Sequence, residues 1–201
     1  MLTAAAAKSD PADLIGRLSH AGFKTKAHCT ATLIEGGHIV TAAHCLPNVA
    51  TDTVTIALGY DRGSASNVIR AAGNEFRRDA TRDLAVLCGT GSGQGVPVAD
   101  DPPNRAEPVQ IAGYGIPRVH ALQLRSCQVA ASGAGGFAVA CPSPPGTSGG
   151  PVFLNAGASA VLAGVISATS PDQTIAVRVT AADIDQACPA GQGGRVGRRR
   201  S

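Results

Sequence analysis

The residues of this chain most suited to joint chemistry are a serine bracketed by glycines, a histidine beside a cysteine, and an aspartate at the mouth of an apolar run. The serine is Ser148, within PSPPGTSGGPVF at residues 142–153. A serine hydroxyl is a weak nucleophile until a neighbouring base takes its proton, and acyl transfer also needs hydrogen-bond donors aimed at the oxyanion that develops. Gly146, Gly149 and Gly150 let the backbone come close to a substrate carbonyl, so the amides of Gly146 and Ser148 could converge on one oxygen. Pro144 and Pro145 have no N–H, which makes Gly146 the nearest upstream donor. Alone, GTSGGP reads equally well as a surface turn.

The base that such a serine requires is His44, at the end of CTATLIEGGHIVTAAHC (residues 29–45). Apolar and β-branched residues on both sides of Glu35-Gly36-Gly37-His38 predict a hairpin. Folding it back brings Cys29 toward Cys45, and a bridge there would pin the backbone beside His44. An imidazole with an ordinary pKa of about 6.5 can accept a proton near neutrality. The competing reading of an isolated histidine is that it simply ends a strand. A metal site of His28, Cys29, His44 and Cys45 is disfavoured, because the spacing matches no common zinc arrangement. Asp83, heading DLAVLC, could fix the imidazole tautomer by accepting its Nδ1 proton. Its alternatives are solvation or pairing with Arg82. Asp79 is its competitor but sits in a polar run that predicts no strand.

The elements that must hold these groups are short strands. Residues 14–18, 54–58, 68–72, 84–88, 109–112, 122–129, 137–141, 150–154, 161–167 and 175–179 are apolar runs separated by turn signals, an all-β pattern. Residues 181–187 carry helical spacing. The glycine-, aspartate- and proline-rich stretch 89–105 is the natural linker between two halves. The expected division is an N-terminal segment (1–13), a first strand-rich unit with linker (14–105) carrying His44 and Asp83, a second unit with the helix (106–188) carrying Ser148, and a Gly/Arg-rich tail (189–201). With 201 residues, 25 Gly and 13 Pro, the chain is long enough for a real core and turn-rich rather than disordered. The net charge of +3 owes four arginines to the tail GGRVGRRRS, so the body gives no case for nucleic-acid binding. No apolar stretch is long enough to span a membrane. Six cysteines without a CxxC pair favour disulfides and an oxidising compartment. The start, MLTAAAAKSD, lacks a basic n-region and reads as a mature or truncated exported form.

TAAHC (41–45), RDLAVL (82–87) and GTSGGPV (146–152), in that order, make the sequence resemble the chymotrypsin-like, or trypsin-like, serine proteases, in their bacterial-type branch. The resemblance runs from about residue 14 to 188. It implies two six-stranded antiparallel β-barrels with a short C-terminal helix and a cleft between the barrels. In that cleft His44 is base and then acid, Asp83 orients it, Ser148 is the nucleophile, and the amides of Gly146 and Ser148 form the oxyanion hole. It further implies that Ser167, Ala168 and Thr169 edge the substrate backbone. Pro142 would lie near the floor of the specificity pocket, with Thr169 and Thr174 where the family often has glycines. With no acid at the floor, the expected preference is a small uncharged residue before the scissile bond.

Thr147 stands where activated members of that family carry an Asp that receives a new N-terminus, and no activation sequence precedes it, so no trypsin-type zymogen switch is expected. Of the 15 pairings that six cysteines allow, Cys29–Cys45 follows the hairpin and the resemblance. Cys127–Cys141 joins adjacent strands, and Cys88–Cys188 remains by elimination, unless those are buried thiols. The expected protein is a secreted or periplasmic serine endopeptidase, cofactor-free and metal-free, monomeric and acting on polypeptide. The alternatives are a catalytically silent fold serving as a binding or scaffold module, and a protein whose basic tail docks on an acidic surface.

Overall fold

The computed structural model describes residues 10–20, 28–48, 51–89, 94–155 and 157–189. The expected N-terminal segment and Arg-rich tail therefore lie almost wholly outside the described residues.

The first half is a seven-stranded antiparallel sheet built from β1 (Ile15–His20), β2 (His28–Ile34), β3 (His38–Ala42), β4 (Thr53–Leu58), β5 (Asn67–Ala72), β6 (Phe76–Asp79) and β7 (Leu84–Leu87), in the order β5-β4-β1-β2-β3-β7-β6. The expected hairpin joins β2 to β3 through one 3₁₀ turn at Glu35–Gly37, pairing Ile34 with His38 and Thr32 with Val40. β2 is buried along nearly its whole length, because one face lines its own sheet's core and the other meets the second half.

The second half is a closed six-stranded barrel of β8 (Pro108–Gly113), β9 (Gln123–Ser132), β10 (Gly136–Val139), β11 (Pro151–Leu154), β12 (Val161–Thr169) and β13 (Thr174–Arg178), in the order β10-β13-β12-β11-β8-β9. A single helix, α1 (Ala181–Ala187), follows. The all-β class and terminal helix agree with the sequence reading, but closure differs between the halves. Among the described residues the edge strands β5 and β6 of the first sheet are not paired with each other, so this half is an open sheet of seven strands where a closed barrel of six was expected. The cause is local: the three-residue turn Gly73–Glu75, held by the amide of Ala72 donating to the Glu75 carboxylate, sends β6 to pair with β7 and not back along β5. β6 is also the strand that the polar residues 76–79 concealed, and it ends on Asp79, whose Oδ1 accepts from the amides of Thr81 and Arg82.

A large apolar cluster runs from the first sheet into the second half, joining Ile15, Leu18, Ile39 and Val86 to Tyr114, Phe153, Leu162 and Val165. A smaller one fills the barrel around Val109, Val139, Val152 and Ile166. The described part of the stretch between the halves stitches them together, since Val96 bridges to Ile34 and Val98 to Leu162. Three disulfides close, Cys29–Cys45, Cys88–Cys188 and Cys127–Cys141. The cysteine–histidine groupings at Cys29, His44 and Cys45 and at His38, Cys88 and Cys188 offer no thiolate to a metal, because every sulfur in them is bridged.

Candidate active site

β3 leads into a 3₁₀ turn at Ala43–Cys45 that carries His44, and β7 begins one residue after Asp83. Since β3 and β7 are paired, with Ala42 opposite Leu84, the two residues emerge side by side at one end of the sheet. The contact is doubled: His44 Nδ1–H donates to Asp83 Oδ2 at 2.8 Å, and the His44 amide donates to Asp83 Oδ1 at 2.9 Å. Asp83 also adopts a left-handed backbone (φ 55°), and its carbonyl accepts from the amide of Ala43. From the other half, Ser167 Oγ donates to Asp83 Oδ2. Burial disfavours the carboxylate, but these hydrogen bonds from Ser167 and from the His44 amide and ring outweigh it and hold the Asp83 carboxyl below its ordinary pKa. Arg82 does not pair with Asp83. It turns away to the carboxylate of Asp183 on α1 and to the carbonyl of Arg178.

Ser148 lies on the loop before β11. The Ser148 carbonyl accepts from the Thr30 amide at 2.8 Å and lies 3.6 Å from Cys45 Sγ, while a ring nitrogen of His44 lies within 4.8 Å of the sulfurs of that same Cys29–Cys45 bridge. The disulfide thus sits between the two sides of the site. Among the described residues no hydrogen bond joins the Ser148 hydroxyl to His44. Of the three glycines around Ser148, Gly146 (φ 99°) and Gly149 (φ 77°) take left-handed conformations and Gly150 does not. A Cβ at either would collide, lying 2.3 Å from His28 Nε2 at Gly146 and 2.2 Å from Thr41 Oγ1 at Gly149.

A sequence model of the trypsin-like peptidase domain matches residues 29–165, a span containing His44, Asp83 and Ser148. The chain belongs to the trypsin-like peptidase family. That family is one of hydrolases, serine endopeptidases that act on polypeptide. The fold is similar to that of a thermostable serine protease from an extremophilic microorganism, at 20% identity and TM-score 0.67, covering 88% of this chain and 95% of the other. It is also similar to a human pathogenic astrovirus serine protease (17% identity, 88% and 95% coverage, TM-score 0.62) and to the protease Anisep of Arthrobacter nicotinovorans (17%, 85% and 92%, 0.62). No curated protein matches the sequence significantly.

The remaining residues singled out in the peptidase sequence fall on two walls. β12 pairs with β11 only as far as Val165 and runs on to Thr169 paired with β13 alone, which leaves the edge of Ser167, Ala168 and Thr169 open. Opposite, Pro142 is exposed, and its carbonyl accepts from the Arg125 guanidinium. The walls touch, because the amide of the buried Ser143 donates to Thr169 Oγ1 at 3.2 Å. Thr174 is wholly buried, its hydroxyl donating to the Cys141 carbonyl at 2.7 Å, so it lies behind the wall and not at its surface. Sequence reasoning gave Ser167 a substrate contact and missed its bond to Asp83. It also missed Thr30 and the Arg82–Asp183 pair. None of these carries a local motif, since each depends on segments brought together from opposite halves.

Proposed function

We propose that the chain hydrolyses peptide bonds through an acyl-enzyme formed on Ser148. Ser148 Oγ attacks the substrate carbonyl carbon while His44 Nε2 takes its proton, and Asp83 remains ionised and stabilises the imidazolium. The amides of Gly146 and Ser148 receive the oxyanion. As the C–N bond breaks, His44 returns the proton to the leaving amine. Water then repeats the sequence against the ester, releasing the acid and restoring Ser148. The observation that carries this reading is the double contact of His44 on Asp83, which commits Nδ1 as donor and leaves Nε2 as the proton acceptor.

For specificity, the contact between Ser143 and Thr169 supports a shallow pocket and preference for a small uncharged residue before the scissile bond. The open edge of β12 beyond β11 supports binding of extended substrate by strand addition. Three disulfides support a secreted or periplasmic setting, and among the described residues no helix is long and apolar enough to cross a membrane. We take the working unit to be a monomer of two units, residues 14–105 and 106–188.

A silent scaffold is the second reading, and the missing hydrogen bond between Ser148 and His44 is what favours it. Labelling with a fluorophosphonate probe at pH 8 separates the two. The expected result is covalent labelling of the wild type that Ser148→Ala and His44→Ala both abolish. A folded, disulfide-intact wild type that stays unlabelled would establish the scaffold reading.

A further inference from the structure

The loop that carries Ser148 shows an imbalance between its carbonyls and its amides. The carbonyls of Pro144, Pro145, Gly146, Thr147 and Ser148 accept, respectively, from Thr147, from the Ile116 amide, from the Thr30 hydroxyl, from the Gly150 amide and from the Thr30 amide. The amides of Thr147, Gly149 and Gly150 donate to Pro144, Ile166 and Thr147. Of this loop's amides, those of Gly146 and Ser148 donate to no acceptor among the described residues, and Pro144 and Pro145 have no amide hydrogen to offer. Neither amide is spent on another protein group among the described residues, so the loop is held through its carbonyls.

We propose that Thr30 is the positioning residue that holds these amides toward the cleft, with His28 as its second support. Both residues lie on β2, in the half of the molecule that does not carry Ser148. Thr30 is fully buried, and its hydroxyl is used twice, accepting from the Tyr114 amide at 3.1 Å and donating to the Gly146 carbonyl at 3.0 Å. Its own amide donates to the Ser148 carbonyl at 2.8 Å, so one residue draws the carbonyls of both donor residues toward β2. Thr41 Oγ1 donates in turn to the Thr30 carbonyl at 2.8 Å. His28 Nε2–H donates to the Tyr114 carbonyl at 2.6 Å, and its ring occupies the space where a Cβ on Gly146 would lie. Tyr114 is thereby fixed at both its amide and its carbonyl, and the Gly146 peptide has no room to rotate.

This inference rests on the reading of Gly146 and Ser148 as the oxyanion hole, and the experiment distinguishes failure of one from failure of the other. Thr30→Val keeps the shape and removes the hydroxyl, whereas Thr30→Ser keeps the hydroxyl. With a small peptide anilide as substrate, Thr30→Val is expected to lower kcat by roughly 10–100-fold at unchanged KM, less than the ~10²–10³ lost when a donor is deleted outright. Thr30→Ser should recover most of that loss. Affinity for a peptidyl trifluoromethyl ketone, whose hemiketal oxygen occupies the hole, should fall in step with kcat, while affinity for the matching non-covalent peptide acid stays constant. Should Thr30→Val not fold, His28→Phe and His28→Gln carry the test from a half-buried position. The phenylalanine variant should lose kcat at constant KM, and the glutamine variant, which can still donate to the Tyr114 carbonyl, should retain it.

A kcat unchanged in Thr30→Val, or in His28→Phe where it stands in, overturns the proposal, as does Thr30→Ser as slow as Thr30→Val or a change confined to KM. Those results in a wild type that labels with fluorophosphonate remove the positioning role alone. A wild type that does not label removes the oxyanion-hole reading and this inference with it.

Discussion

The two halves hold their parts of the site by opposite means. In the first sheet the proposed base and its partner meet at the Asp83 side chain, which accepts from both the ring and the amide of His44, and Ser167 adds a third hydrogen bond from the other half. In the barrel the Ser148 loop is held through its backbone carbonyls, which accept hydrogen bonds, while the amides of Gly146 and Ser148 donate to no acceptor among the described residues. Side chains that act by charge and proton transfer need their partners at the reacting group itself. A loop that acts through N–H groups can take its support from anywhere that leaves those groups free. Each half also depends on the other, because Ser167 belongs to the barrel and supports Asp83, while Thr30 belongs to the open sheet and supports Ser148.

If the first half works through side-chain charge, its hardest break is Asp83→Asn, which keeps the shape but loses the carboxylate. The amide side chain would present a donor to Nδ1 or force the other tautomer, leaving Nε2 protonated and unable to take the serine proton. We expect kcat to fall by about 10⁴-fold. A smaller loss of stability at pH 7 should accompany it, because burial of Asp83, as of Asp183, is outweighed by the hydrogen bonds it accepts, which lower its pKa. A loss no larger than that of Thr30→Val would erase the contrast between the halves.

The residue types at the site were readable because each has a chemistry that few alternatives share. His44, Asp83 and Ser148 stand at strand ends, where turn glycines and apolar runs punctuate the chain, and the order of their motifs carried the family. The helix Ala181–Ala187 was readable from the helical spacing of Ala182, Ile184 and Ala187, and the structure adds a capping box in which the Asp183 carboxylate accepts from the Thr180 amide. β6 was not, because Phe76–Asp79 is largely polar and belongs to a sheet edge, where no buried face imposes alternation. Arg17 was equally opaque: it is buried in the middle of β1, with its guanidinium against the ring of Tyr60 at 5.9 Å, an arrangement that depends on a chain fold more than 40 residues away. The support of the Ser148 loop was hidden for the same reason, since Thr30 reads locally as an ordinary β-branched strand residue.

The proposed specificity wall sharpens the comparison at intermediate size, because on that reading Thr169 acts by a side chain although it lies in the barrel. Its hydroxyl accepts from Ser143 and lies 3.2 Å from the carbonyls of Ser170 and Gln173. Thr169→Gly removes that bridge and should raise kcat/KM for substrates with a larger apolar residue before the scissile bond by roughly tenfold relative to alanine, the scale on which pocket volume discriminates. Competition between paired peptides measures it. Wild-type cleavage after Arg or Lys as fast as after small residues would overturn the shallow-pocket reading directly.

The smallest effect tests whether the first half needs support behind Asp83 as the Ser148 loop needs Thr30. Arg82 is the neighbour of Asp83, and its guanidinium is spent on Asp183, whose carboxylate also accepts from the Thr180 hydroxyl at 2.7 Å and amide at 2.9 Å. Burial disfavours that carboxylate, but Arg82 and Thr180 more than compensate, so its pKa in the folded chain lies below the ordinary value. A carboxyl depressed on folding adds stability above its unfolded pKa of about 3.9, and that contribution is lost as pH falls through the lower folded value. Asp183→Asn should therefore cost about 1–2 kcal/mol at pH 7, the scale of hydrogen bonds to a charged group. The wild-type and variant curves should converge at acid pH, where both side chains are neutral. Denaturant unfolding at a series of pH values from 7 downward measures the difference. If kcat holds while stability falls, Asp83 is secured by its own hydrogen bonds alone. If kcat falls with it, the Arg82 tie does for Asp83 what Thr30 does for Ser148, and the two halves share one principle of support after all.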